Sequence, residues 1–179
     1  MDKTEIIKLA AEAGAKAAME TLERERQRDR KEMADRRLWN TKLLLKNYRS
    51  FVAHVDKAVF AVDDYVPLEE IWTDLMMPGR DSTLFVESIK QSVARTATIV
   101  KHMEAMMDLY KVYCTTIGTA EDERRWRIIN GLYISDERKS VKELAQAEGV
   151  VERTIYKDID IACERIAALM FGVDGLKRR

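Results

Sequence analysis

Arg153, Thr154, Tyr156 and Lys157 set two cations, a hydroxyl and a phenol within five consecutive residues. That set suits base edges and phosphate oxygens better than bond-making chemistry. A guanidinium donates two parallel hydrogen bonds to guanine O6 and N7, so Arg153 is the first candidate for reading a base. Lys157 suits a phosphate or a base edge. Asp160 and Glu164 continue the same stripe and repel phosphate, which places them toward the exit of a groove or against cytosine. Such residues read double-stranded DNA only when a rigid helix carries them into the major groove by its N-terminal turns.

The flanking residues predict that helix and its support. Ser140 followed three residues later by Glu143 is a capping box, so a short helix begins at Val141. Val141, Leu144 and Ala145 share one face, Gly149 supplies a left-handed turn, and Val150 plugs the space between two helices. A second helix follows over 152–171, with Ile155, Ile159, Ala162, Ile166 and Leu169 inward and Arg153, Lys157, Asp160 and Glu164 outward. Val151 stands where Ser, Thr or Asp normally caps such a helix, and Glu152 supports the start through the helix dipole. Upstream, Thr119 and Asp122 give another cap signal, and Trp126, Ile129 and Tyr133 form a third apolar face. Residues 119–179 thus read as a trihelical helix-turn-helix domain. The same pattern also serves as a compact core or a protein-docking surface.

Charge argues that this unit does not bind DNA strongly alone, because residues 119–179 hold 12 Lys or Arg against 12 Asp or Glu. A basic surplus lies elsewhere. Residues 24–49 contain ten basic and four acidic side chains in a chain of net charge zero. Arg24, Arg26, Arg28, Arg30, Lys31, Arg36, Arg37, Lys42, Lys46 and Arg49, with Lys139 and Lys142, are therefore candidates for phosphates or for an acidic protein such as a surface of RNA polymerase. Glu23, Glu25, Asp29, Glu32 and Asp35 interleave with them, which equally describes a solvated helix laced by ion pairs.

The front of the chain is helical in pattern. Ile6, Ala10, Ala13 and Ala17 make a narrow stripe, and Leu38, Leu45, Tyr48, Val52, Val55 and Val59 a wider one, joined by the charged stretch as linker or continuous helix. Pro67 and Pro78 mark a hinge at 63–81. Asp81 or Ser82 then caps a long helix to about Tyr113, ended by Gly118, with Phe85, Ile89, Thr96, Ile99, Met103, Met106 and Tyr110 near heptad spacing. Residues 1–118 read as an all-α bundle or coiled-coil-like oligomerisation region, and a homodimer or higher oligomer is expected.

Composition sets the outer bounds. With 179 residues, 46% hydrophobic and 35% charged, the chain makes one or two domains. It shows neither a signal-peptide order nor a membrane span, so the cytoplasm is the expected location. Cys114 and Cys163 have no ligand spacing and read as buried thiols. No metal or cofactor is expected. An enzyme is not expected either: His54 and His102 stand far apart, Asp63, Asp64, Glu69 and Glu70 flank a proline loop, and no phosphate-binding glycine motif occurs.

Two stretches resemble a known family. Trp39, Asn40, Thr41, Lys42, Leu43, Leu44, Leu45, Lys46, Asn47, Tyr48 and Arg49 form the first; the second runs from Glu152 through Ile159 to Phe171, Gly172, Val173, Asp174, Gly175 and Leu176. Together they resemble the phage late-transcription regulators of the ArpU type, related more loosely to RinA activators and sigma-factor region 4. The resemblance implies a phage or prophage protein that switches on late genes by binding near a promoter and engaging host polymerase. Two other roles fit the same pattern: a small-terminase-like subunit that recognises a packaging site, and a polymerase- or repressor-docking protein that touches no DNA.

Overall fold

The computed structural model describes residues 3–57, 66–76, 86 and 93–172, and six α-helices are bounded among these residues. They are α1 (Lys3–Asp56), α2 (Leu68–Met76), α3 (Val93–Val112), α4 (Ala120–Ile129), α5 (Val141–Glu148) and α6 (Glu152–Phe171). A π-helical turn, Tyr113–Ile117, extends α3, and a second, Asn130–Ile134, extends α4. No strand occurs among the described residues. The all-α class follows from the three-and-four spacing of the apolar residues.

The two front stripes and the charged stretch form one helix of 54 residues, about 80 Å long. Arg, Glu, Lys, Met and Ala are strong helix formers, and ion pairs one turn apart reinforce them, as in Glu20–Arg24 (3.9 Å) and Glu32–Arg36 (2.9 Å). Every side chain from residue 12 to 33 is exposed, so this half of α1 projects as an arm. Ala13 and Ala17 lie on it uncovered; the side chains of Ile6 and Ala10 lie outside the described residues. The helix enters the core at Asn40 and Thr41. Leu44, Leu45, Tyr48 and Phe51 are buried there; Leu44 and Phe51 were not in the expected stripe, whose Leu38, Val52 and Val55 are half-buried. Burial and the nearby Glu104 carboxylate, to which Tyr48 Oη donates at 3.2 Å, push the Tyr48 phenol up to about 12.

Within the stretch expected to hold the hinge lies α2. Pro67 does not break structure but precedes a helix, where a residue without an N–H costs no intrahelical bond, and its carbonyl accepts from the Glu70 N–H at 3.2 Å. The rest of 63–81, the caps expected at Asp81 or Ser82, and Val59, Phe85, Ile89, Val173, Asp174, Gly175 and Leu176 lie outside the described residues.

One apolar cluster runs through the fold, drawing on α1, α2, α3, α4, α5 and α6, so residues on both sides of Gly118 share a core. From α3 it takes Ile99, Val100, Met103, Met107 and Tyr110, with Met106 packed at its edge, so the methionines fill core space as their spacing implied. Cys114 and Cys163 are buried free thiols, and burial pushes Cys163 up to about 12. In α6 the inward stripe is Ile155, Ile159, Ala162, Ile166 and Met170. Leu169, expected in that stripe, is instead exposed, and the buried face turns toward Cys163, Ala167 and Met170 along the second half of the helix.

His102 of α3 packs against the edge of Trp72 from α2 (5.3 Å between centroids), and Trp72 in turn meets Phe171 of α6 at 4.7 Å. Burial holds the imidazole below its ordinary pKa, although a bond to the Met170 carbonyl opposes this. The unfolded chain therefore takes up a proton near pH 6.5 while the folded one resists it. Stability contributed by neutral His102 is present above that pH and is lost as pH falls toward the lowered folded value. Urea unfolding between pH 7.5 and 5.5 should show that decline, and His102→Gln should flatten it.

Candidate nucleic-acid interface

The turn between α5 and α6 has the local structure its residues dictate. Ser140 Oγ accepts from the Glu143 N–H at 3.2 Å, and Glu143 Oε2 accepts from the Ser140 N–H at 2.7 Å, completing the capping box. That pairing, above all the Ser140 N–H, holds the Glu143 carboxyl below its ordinary range. Gly149 is left-handed (φ 65°, ψ 32°) and closes α5, while the Val150 N–H returns to the Ala145 carbonyl at 3.0 Å. Side chains rarely adopt that φ, so glycine is needed here. Val150 packs against the core between the helices. Val151 occupies the N-cap of α6 with no side-chain bond, and the Thr154 N–H reaches its carbonyl at 2.8 Å.

What holds α6 in place is a charge network that the sequence reading missed. Asp158 is buried, and its carboxylate accepts from Arg124 Nε at 2.8 Å and Arg125 Nε at 3.1 Å, both on α4. Asp122, also buried, accepts from Arg125 at 2.5 Å and from Arg165 of α6 at 2.9 Å. Burial alone would raise the Asp122 carboxyl, but the Thr119 N–H, Arg125 and Arg165 outweigh it and hold it below its ordinary value. Arg165 donates to Tyr113 Oη at 2.7 Å and lies 4.9 Å over that ring. Arg127 forks onto Glu148 at 2.8 and 2.7 Å, tying α4 to the end of α5. One signal was available: Asp158 lies three residues after Ile155, on the inward face.

With that face locked, the opposite one is open. Arg153, Tyr156 and Lys157 are exposed on the first two turns of α6, and Thr154 is half-buried. Lys139 and Lys142 are exposed on the α5 side, joined by Arg138, which the sequence reading did not single out. Val151 and Tyr156 add apolar surface beside the cations.

The basic stretch divides. Arg49 donates to the Ser135 carbonyl at 2.8 Å, to Leu132 at 2.9 Å and to Gly131 at 3.4 Å, so it caps the π-turn after α4 instead of facing outward. Arg36 donates to the Met76 carbonyl and to Glu32. Arg37 is half-buried, with its Nε enclosed. Lys42 pairs with Asp160 at 2.7 Å, joining α1 to the outward stripe of α6. For Arg36, Lys42 and Arg49 a contact with DNA or polymerase competes with internal bonds. Arg24, Arg26, Arg28, Arg30, Lys31 and Lys46 are exposed.

Among the described residues no three His, Cys, Asp or Glu side chains converge as a metal site would require, and no helix is long and apolar enough to cross a membrane. The chain matches no family model, curated protein or solved structure.

Anchoring and exposed residues should separate in stability. Asp158→Ala leaves two guanidinium groups facing an emptied site and should lower the unfolding free energy by about 3–5 kcal/mol. Arg153→Ala and Lys157→Ala should each change it by less than about 0.5 kcal/mol. Chemical denaturation of the three variants checks both.

Proposed function

We propose that this chain is a sequence-specific regulator of transcription that binds double-stranded DNA through α5, the Gly149 turn and α6. The observation that carries the reading is the start of α6, where Arg153, Tyr156 and Lys157 stand exposed on a helix whose other side is pinned through Asp158. A helix so held presents its first two turns to a major groove without a further ordering cost. Arg153 reads guanine, Lys157 meets a base edge or phosphate, and Val151 with Tyr156 offers apolar contact to thymine methyls. Arg138, Lys139 and Lys142 suit the flanking phosphates. The resemblance to ArpU-type regulators supports a phage or prophage protein acting on late genes with host RNA polymerase.

A second reading has its own support. The arm of α1 is exposed from residue 12 to 33 and interleaves Arg24, Arg26, Arg28, Arg30 and Lys31 with Glu20, Glu23, Glu25, Asp29 and Glu32, which fits docking on a mixed-charge surface of polymerase or a repressor with no DNA contact.

Capture of sheared source-genome DNA on purified protein at about 0.15 M salt separates the two. DNA reading predicts enrichment at a promoter-proximal site that disappears in the Arg153→Ala/Lys157→Ala variant. Arg153→Ala alone should cost about 1–3 kcal/mol on the specific site and much less on random DNA. Equal loss on both would remove Arg153 as a base reader. Enrichment at a packaging site, with transcription unaffected, would favour a packaging subunit. No enrichment, with late transcription intact in the double variant, would favour docking.

A further inference from the structure

Among the described residues, the part of the basic stretch that meets the outward side of α6 begins at Lys42. Lys42, Lys46 and Arg49 follow one another by steps of four and three and so share one face of α1. The two outer members of that face are pinned: Lys42 Nζ lies 2.7 Å from Asp160 on the outward stripe of α6, and Arg49 holds carbonyls of the π-turn after α4. Lys46, between them, is exposed. Arg138 is exposed four residues beyond that π-turn, and it and Asp160 both lie near enough to the Tyr133 phenol to act on its ionisation. Lys157 stands exposed on the same stripe, three residues before Asp160. Four cations thus gather around one acid, with Glu164 a turn further from Arg153.

We propose that Lys42 and Lys46 of α1, with Arg138, form a phosphate-binding wall beside α6, so that α1 and the helix-turn-helix hold double-stranded DNA together. The wall rests on the DNA reading given above and is the flank of that same site. A major groove is about 12 Å wide and an α-helix with its side chains fills it, so sugar–phosphate chains run along both sides of α6. Asp160 lies seven residues, about 10 Å, beyond Arg153 along the helix axis. An element packed against the outward stripe at that point sits at the rim of the groove, against phosphates. Asp160 alone would repel them. An ammonium, however, has three donors, so Lys42 gives one to Asp160 and keeps two for phosphate oxygens, while the neutralised carboxylate orients it. Lys46, about 6 Å further along α1, suits a second contact with the same strand. These cations supply what residues 119–179, with their balanced charge, lack. Arg24 to Lys31 lie about 16 Å or more from Lys42 along the arm and take no part.

Fluorescence anisotropy of the full chain on a duplex carrying its captured site, and on a random duplex, between about 0.05 and 0.2 M salt reads phosphate contacts as the slope of log affinity against log salt. Lys42→Gln, Lys46→Gln and Arg138→Gln should each flatten that slope by about 0.9, with equal loss of affinity on both duplexes and unaltered circular dichroism. Arg26→Gln/Arg28→Gln/Arg30→Gln on the arm should leave the slope unchanged. Lys42→Gln should flatten it by the same amount in an Asp160→Asn background; full recovery there would mean that Lys42 only neutralises Asp160, and would overturn its contact with phosphate. A wild-type slope in Lys46→Gln, or a slope that flattens in the arm variant instead, would overturn the wall. Arg153→Ala on the same duplexes keeps the two readings apart. Loss with Arg153→Ala but with none of the three wall variants removes the wall alone, and a wild-type chain that binds neither duplex removes both.

Discussion

Two nearly dry carboxylates, Asp122 and Asp158, and the three arginines around them fix how α6 sits in this protein. Apolar packing drives burial but is largely non-directional, so Ile155, Ile159 and Ile166 alone would tolerate some rotation of the helix about its axis. A carboxylate taking bonds from two guanidinium groups does not. Its solvation is gone, and only the observed geometry replaces it. The network therefore selects one rotational setting for α6, and with it the outward stripe that begins at Arg153. Arg125 bridges the two acids and Arg165 returns from α6 itself, so α4 and α6 are joined at both ends of the same network.

Legibility in the sequence followed from how local the physics was. The capping boxes at Thr119 and Ser140, the left-handed Gly149 and the start of α6 at Glu152 depend on residues three or four positions apart, and each is present where the spacing implied. The helix after Pro67 was not foreseen because a proline precedes a helix as readily as it marks a bend, and only the partner of the Glu70 N–H distinguishes them. Leu169 was misplaced because small errors in phase accumulate over the five turns of α6. The partners of Asp158 were out of reach, since Arg124 and Arg125 lie more than thirty residues away. Arg49 shows the same limit: in sequence it belongs to a basic run, and in space it closes the end of α4. Composition alone does not separate a cation that faces solvent from one whose donors meet carbonyls.

Arg49 and Lys42 give the second half of α1 a role beyond supplying apolar surface. One holds the π-turn through three carbonyls, and the other meets Asp160 on the stripe that Arg153 and Lys157 share. The long helix is thereby connected to the outward face of α6 by polar bonds as well as by the core. Among the described side chains, its first half from residue 12 onward is exposed and relies on helix propensity and ion pairs within itself.

That asymmetry makes α1 a measuring rod. From Lys3 to Met33 the arm rises about 45 Å, close to one and a third turns of B-form DNA. A continuous helix transmits phase as well as distance, unlike a flexible linker. Each residue added or removed between Met33 and Asn40 would swing the far end by about 100° while changing its reach by only about 1.5 Å. The tip of the arm is thus set at a defined azimuth relative to α6, fixed by the number of residues in the charged stretch.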